Sequence, residues 1–168
     1  MGFLKRQQVI GLPVLQKEGL SLLGRVEDLL LNRRGERVVA LLLEGGGLFQ
    51  KRRLFPREEI LAFGPDAILA GKPVELRSPG KGLEPLLAPA RLLLGRRVLD
   101  EGGRDLGTVD DLFFHPETGD VVGYALSMGL LADLWQGPSF LPRGVSLQVG
   151  EGDTLLVRRI KEGPGEES

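Results

Sequence analysis

Two stretches of the chain lie in the same frame. Gly24-Arg-Val-Glu-Asp-Leu-Leu runs on to Gly35-Glu-Arg-Val-Val, and Gly107-Thr-Val-Asp-Asp-Leu-Phe runs on to Gly119-Asp-Val-Val. Upstream, Gly11-Leu-Pro-Val-Leu matches Gly95-Arg-Arg-Val-Leu, and downstream Pro56-Arg57 and Pro142-Arg143 each stand eight residues before a glycine, Gly64 and Gly150. The spacings agree to within one residue. A unit that recurs with its turn residues in register dictates one local architecture used twice, which constrains the fold more than any single motif does.

The second copy decides what that architecture is. Taken alone, residues 21–35 make an acceptable helix, with Leu22, Leu23, Val26, Leu29 and Leu30 on one face, Ser21 to cap it and Gly35 to stop it. The equivalent stretch from Gly107 carries β-branched and aromatic residues, and Pro116 falls where the helix would continue. Both copies therefore read as strand, hairpin, strand, with "NRRG" and "HPETG" as loops closing at a glycine that accepts positive φ. Short strands punctuated by Gly and Pro predict an all-β chain of two tandem small, mostly antiparallel barrels.

The boundaries follow from the repeat. The first domain takes residues 1–76 and the second 92–161. Residues 77–91, with Pro79, Pro85 and Pro89, read as a Pro/Gly-rich linker that cannot hold a regular helix or central strand. The polar tail 162–168 reads as disordered.

At this level of detail the chain resembles the PRC-barrel family. The resemblance lies in Gly24-Arg-Val-Glu-Asp with its apolar pair and Gly35 hairpin, in "VVALLLEGGGLF" and in "RRLFPREEILAFGPDAIL", and it recurs in the second copy. It implies a small barrel in each half, used to dock on proteins, in some members within RNA-processing or membrane assemblies. Those members include the cytoplasmic domain of the photosynthetic reaction-centre H subunit and the C-terminal domain of a ribosome maturation factor. The present chain departs from both: it has no membrane helix like the first, and its first half is a second copy of the domain, where the maturation factor has a different barrel.

Composition excludes several kinds of chemistry. With no cysteine there is no disulfide, thiolate nucleophile or Cys-ligated metal, and the expected address is cytoplasmic. The N-terminus has no apolar run of signal-peptide length, and position 6, where a myristoylation signal has Ser or Thr, is Arg6. The longest apolar stretch is broken by Glu44 and three glycines, so no membrane span is expected. Charge is uneven: residues 1–70 hold 11 Lys/Arg against 8 Asp/Glu, and residues 71–168 hold 11 against 15, so the first part is +3 and the second −4. Opposite signs help two parts dock or orient a partner.

No catalytic constellation emerges. Neighbours in a strand point to opposite faces, so the doublets Glu27-Asp28 and Asp110-Asp111 do not converge on a ligand without a bulge. Asp28 and Asp111 share the parity of their apolar neighbours and are expected at equivalent places, accepting hydrogen bonds from a turn. His115, the single histidine, reads as an exposed turn residue. There is no nucleophile elbow, P-loop, dinucleotide fingerprint or zinc-protease motif, and "EGGGL" lacks the Lys-Ser/Thr of a phosphate cradle. The chain is expected to be no enzyme, with no catalytic residue, metal or cofactor.

Two surfaces remain. Leu130, Leu131, Leu134, Trp135 and Phe140 gather in a segment that is longer in the second copy, and they form either a lid on their own barrel or a docking anchor. Lys51, Arg52, Arg53 and Arg57 form either a solvated charge run or a contact for RNA or an acidic protein. The expectation is an adaptor or scaffold that binds a protein partner through the Trp135 segment and is capable of self-association. The alternative is a ribosome- or RNA-processing factor using the basic run.

Overall fold

The structure, a computed structural model, describes residues 2–32, 35–44, 53–71, 87–127, 139–142, 145–149 and 154–159, with the backbone alone for 87–88 and from 139 onward. Among the described residues it is built of strands, with one four-residue helix, α1 (Arg6–Val9), and two 3-10 turns, Arg57–Glu59 and Ala90–Leu92. The strands are β1 (Leu4–Lys5), β2 (Pro13–Gln16), β3 (Leu22–Asn32), β4 (Val38–Leu43), β5 (Arg53–Pro56), β6 (Ile60–Phe63), β7 (Ile68–Ala70), β8 (Leu87–Pro89), β9 (Arg97–Leu99), β10 (Asp105–Phe114), β11 (Val121–Ser127), β12 (Ser139–Pro142), β13 (Val145–Val149) and β14 (Thr154–Arg159). The all-β expectation holds, and residues 22–32 are a strand where a helix could have been read.

The repeat reappears as topology. One sheet runs β5-β4-β3-β2-β7-β6 and the other β12-β11-β10-β9-β14-β13, so each strand of the first has its counterpart in the second. The single parallel pairing of each path, β2 with β7 and β9 with β14, falls in the same place. Detail is shared as well. Gly11 N–H donates to the Val26 carbonyl at 2.8 Å, and Gly95 N–H donates to the Val109 carbonyl at 2.8 Å. Each path also has a bulge just before the repeated glycine: Val14 pairs with Gly24 and Leu15 with Leu22, as Val98 pairs with Gly107 and Leu99 with Asp105. Gly24 and Gly107 therefore mark where the extra residue is absorbed and the strand bends.

The hairpins close as their glycines require. Gly35 (φ 69°) donates its N–H to the Asn32 carbonyl at 2.9 Å, and Gly119 (φ 80°) donates to that of His115 at 2.7 Å. Both φ values lie in the left-handed region, which costs a residue with a Cβ roughly 1–2 kcal/mol.

The chain divides into two compact units, Met1–Leu92 with Phe113–Val122, and Leu93–Leu112 with Gly123–Ser168. In the first, Val14, Val26, Leu29, Leu41, Phe55 and Ile68 are fully buried, while Leu30, Ala40, Leu42 and Leu54 form a further buried cluster. The runs "LLL" in β3 and β4 are thus buried on both faces, which is why they read as continuous apolar stretches and not as an alternation.

Two segments take places in the first unit that their sequence position does not announce. The described end of the expected linker, Leu87–Pro89, is a strand, and it pairs with Leu30–Asn32 of β3. It sits off the main path as an added edge, which suits Pro89, since proline cannot donate to a ladder. The hairpin tip Phe113–Val122 of the second repeat also belongs to this unit, with Phe113 and Phe114 paired to Lys5 and Leu4 of β1. The rest of the linker and the tail 162–168 lie outside the described residues.

Candidate functional site

The first acidic doublet is a structural staple. β3 carries Asp28 into the interior with no exposure, and a bulge at Glu27 interrupts its register with β4. A buried carboxylate must find donors, and Asp28 has three. Oδ1 accepts from Leu29 N–H at 2.8 Å and from Arg6 Nε at 2.8 Å, and Oδ2 accepts from Arg91 N–H at 3.0 Å. Arg91 also sets its Nη1 3.7 Å from Glu27 Oε1. The expected turn donor is present as the 3-10 turn Ala90–Leu92, and Arg6 on α1 adds a charge-assisted bond that the sequence pattern did not point to. Asp111, at the equivalent place, is also buried and accepts from Leu112 N–H at 2.7 Å. Among the described residues, no group of three or more His, Cys, Asp or Glu side chains is placed to hold a metal ion.

The His115 turn is packed, which corrects the expectation of an exposed residue. His115 is half-buried, with its ring edge-on to Phe3 (centroids 6.0 Å apart) and its Nδ1 accepting from Glu117 N–H at 3.3 Å. Beside it Phe114 meets Phe63 edge-to-face at 5.7 Å, and Lys5 Nζ lies 5.4 Å from the Phe113 ring centroid.

Arg57 belongs to this packing. One terminal N–H donates to the Glu117 carbonyl at 2.8 Å, and its Nε is buried against the hairpin with Gly119 beside it. Of the basic run, Arg53 opens β5 with an exposed side chain, and Lys51 and Arg52 lie outside the described residues. The structure therefore does not bring Arg53 and Arg57 together as free cations. Leu130, Leu131, Leu134 and Trp135 also lie outside the described residues, and Phe140 is placed by its backbone alone, in β12 opposite Ala125.

Exposed apolar side chains stand elsewhere, those of Leu22 and Leu61 on strands that are not neighbours in the sheet. At the end of the first unit's sheet where β2 and β7 finish and β3 and β6 begin, Leu20, Leu22 and Leu61 are 64%, 57% and 56% exposed. The strand ends are tied there: Lys17 N–H donates to the Ala70 carbonyl at 2.9 Å, Gln16 N–H to that of Ser21 at 2.9 Å, and Gly71 N–H to that of Glu59 at 2.9 Å. Leu61 covers Gly71. Leu20 is the described non-glycine residue with positive φ, at 52°, a conformation that an exposed leucine adopts at a cost. By strict alternation Leu22 has the parity of Val26, which is buried. The bulge between Leu22 and Gly24 reverses that face, and the one available signal was the Gly19-Leu20 turn beside it.

Residues 1–77, and again 88–163, match the family described as PRC-barrel domain. The chain is also similar to the uncharacterized protein YrrD of Bacillus subtilis (strain 168), with 26% identity over 155 residues covering 92% of this chain and 83% of that protein.

Proposed function

The chain belongs to the PRC-barrel domain family and carries the domain twice, and we propose that it is a non-catalytic interaction module, an adaptor or scaffold that docks on another protein in the cytoplasm. The observation that supports this reading is the exposed set Leu20, Leu22 and Leu61 on tied strand ends. Large apolar side chains held rigidly in water give a partner area to bury without first having to be ordered. The strained turn at Leu20 points the same way, since strain persists where the surrounding structure holds it and function uses it. Asp28, Asp111 and His115 are occupied by the fold, and Arg57 is held by its terminal N–H on Glu117. The apolar sequence segment around Trp135 is a second candidate contact in the same reading.

The test is affinity recovery from native lysate with full-length protein, with and without nuclease, using wild type, Leu20→Asn/Leu22→Thr/Leu61→Thr and Trp135→Ala. The expected result is a nuclease-resistant partner lost with the leucine triple variant. Recovery that disappears with nuclease, or persists undiminished in both variants, overturns the proposal.

A further inference from the structure

The contacts that the second repeat makes inside the first unit are reciprocal. Leu4 pairs with Phe114, and Ala88 pairs with Leu31. Ala88 is the counterpart of Leu4 (84 residues on) and Phe114 that of Leu31 (83 on), so each repeat lends the strand before its own first glycine to the long strand of the other. The hairpins repeat the pattern. Val38 N–H donates to the Gly119 carbonyl at 2.7 Å and Val121 N–H donates to the Glu36 carbonyl at 2.8 Å, and exchanging the repeats, 83 residues apart, turns the first bond into the second. Between them Arg37 faces its own counterpart, Asp120, as an antiparallel bridge. All these residues lie in the first unit.

A set of contacts in which residue i of one repeat meets j of the other while the equivalent of j meets the equivalent of i, with one residue on the axis facing its own equivalent, is the geometry of an isologous dimer, here made within one chain. Such a face accepts any copy of itself unless something discriminates. We infer that the Arg37–Asp120 pair is that discriminator, selecting first repeat with second and rejecting like with like. Arg37 Nε donates to Asp120 Oδ1 at 3.1 Å. Pairing two first repeats would set Arg37 opposite Arg37, and pairing two second repeats would set Asp120 opposite Asp120; only the mixed pairing meets opposite charges. The loops around them carry the same bias in sequence: Asn32–Arg37 holds three arginines and one glutamate, whereas His115–Asp120 holds Glu117 and Asp120 and no Lys or Arg. The partner this face fits is thus an acidic hairpin of a second PRC repeat, and the tethered copy fills it first, because linkage raises its effective concentration to the millimolar range.

The experiment uses the full chain with a protease site placed between Pro79 and Pro85 and cut after folding. The two pieces are expected to stay together as a 1:1 pair on dilution. Arg37→Asp or Asp120→Arg alone weakens that association about threefold to tenfold at low salt, the range for an exposed pair turned into a repulsion. The double exchange, Arg37→Asp with Asp120→Arg, returns it to within about twofold of the parent. The difference shrinks at about 1 M salt, where screening acts within about 3 Å. Denaturant midpoints of the uncut variants follow the same cycle. Pieces that separate on cutting, or a double exchange no better than the weaker single variant, overturn the inference.

Discussion

Gly119→Ala is the sharpest probe of how the second repeat's hairpin is seated, and Gly11→Ala is its control in the same unit. Both glycines are left-handed, φ 80° and 83°. A Cβ on Gly11 would meet nothing within 4 Å, so the change there is confined to the backbone. That conformation costs roughly 1–2 kcal/mol for an alanine, offset by about 0.4–1 kcal/mol because alanine also restricts the unfolded chain. Gly11→Ala should therefore lose about 1 kcal/mol. A Cβ on Gly119 would overlap the carbonyl oxygen of Val38 and come within 2.8 Å of Arg57 Nε. Neither neighbour is free to yield, since Val38 is a ladder residue and the Arg57 guanidinium is fixed on Glu117. The hairpin has to lift, losing the bonds Val38 N–H to Gly119 and Val121 N–H to Glu36 at about 0.5–1.5 kcal/mol each, besides the Arg57 bond. The expected total is about 3–5 kcal/mol, read from urea denaturation of both variants with matched m-values. If the two losses agreed within about 0.5 kcal/mol, the hairpin would not be packed on β4 and the composite first unit would be wrong.

Three further outcomes follow from the same contacts. Asp28→Ala should cost about 3–5 kcal/mol, because it removes the acceptor for Arg6 and Arg91 in a buried place, whereas Asp111→Ala should cost about 1–3 kcal/mol; equal losses in denaturant titrations would contradict this. Arg6→Lys should recover only part of the stability lost in Arg6→Ala, since a single ammonium does not reproduce the guanidinium geometry at the Asp28 carboxylate. Leu20→Asn should raise the unfolding free energy by about 1 kcal/mol, as asparagine tolerates the left-handed region, while weakening partner recovery; a lower denaturant midpoint would show that Leu20 is packed and not strained.

How much of this was legible in the sequence depends on the range of the interaction. The bulge glycines Gly24 and Gly107 and the hairpin glycines Gly35 and Gly119 act within a few residues, and their repetition exposed them. The burial of Asp28 was legible from its parity with Val26 and Leu30, although its donors were not. Arg6 and Arg91 stand 22 and 63 residues from it, and nothing in a strand's period points so far along the chain. β8 was hidden for a different reason. Pro89 excludes a central strand, and three residues make too short a run to show alternation, yet an edge needs neither a proline N–H nor length. The exposed leucines were concealed by the bulge, which shifts Leu22 to the opposite face while leaving the apolar pattern intact.

The duplication raises the question of why the two copies have not remained interchangeable, and the answer lies in where they differ. Core strands and turn glycines are matched, but the lending segments and hairpins are not. The counterpart of Arg6 is Ala90, that of Arg91 is Gln7, and that of Arg37 is Asp120. Asp28 therefore receives a guanidinium from the helix of its own repeat and a backbone N–H from the turn of the other. At the sequence position equivalent to Arg6 the second repeat has an alanine, Ala90, which has no side-chain group to donate. A pairing of two first repeats would retain the Asp28–Arg6 bond and suffer at Arg37, and a pairing of two second repeats would lack the guanidinium and suffer at Asp120. The asymmetry includes the places where one repeat meets the other, as expected if the copies diverged to favour their mutual pairing, and it extends to the leucine-bearing end of the first unit, where Leu22 has Asp105 as its counterpart, which leaves that end for contacts beyond the chain.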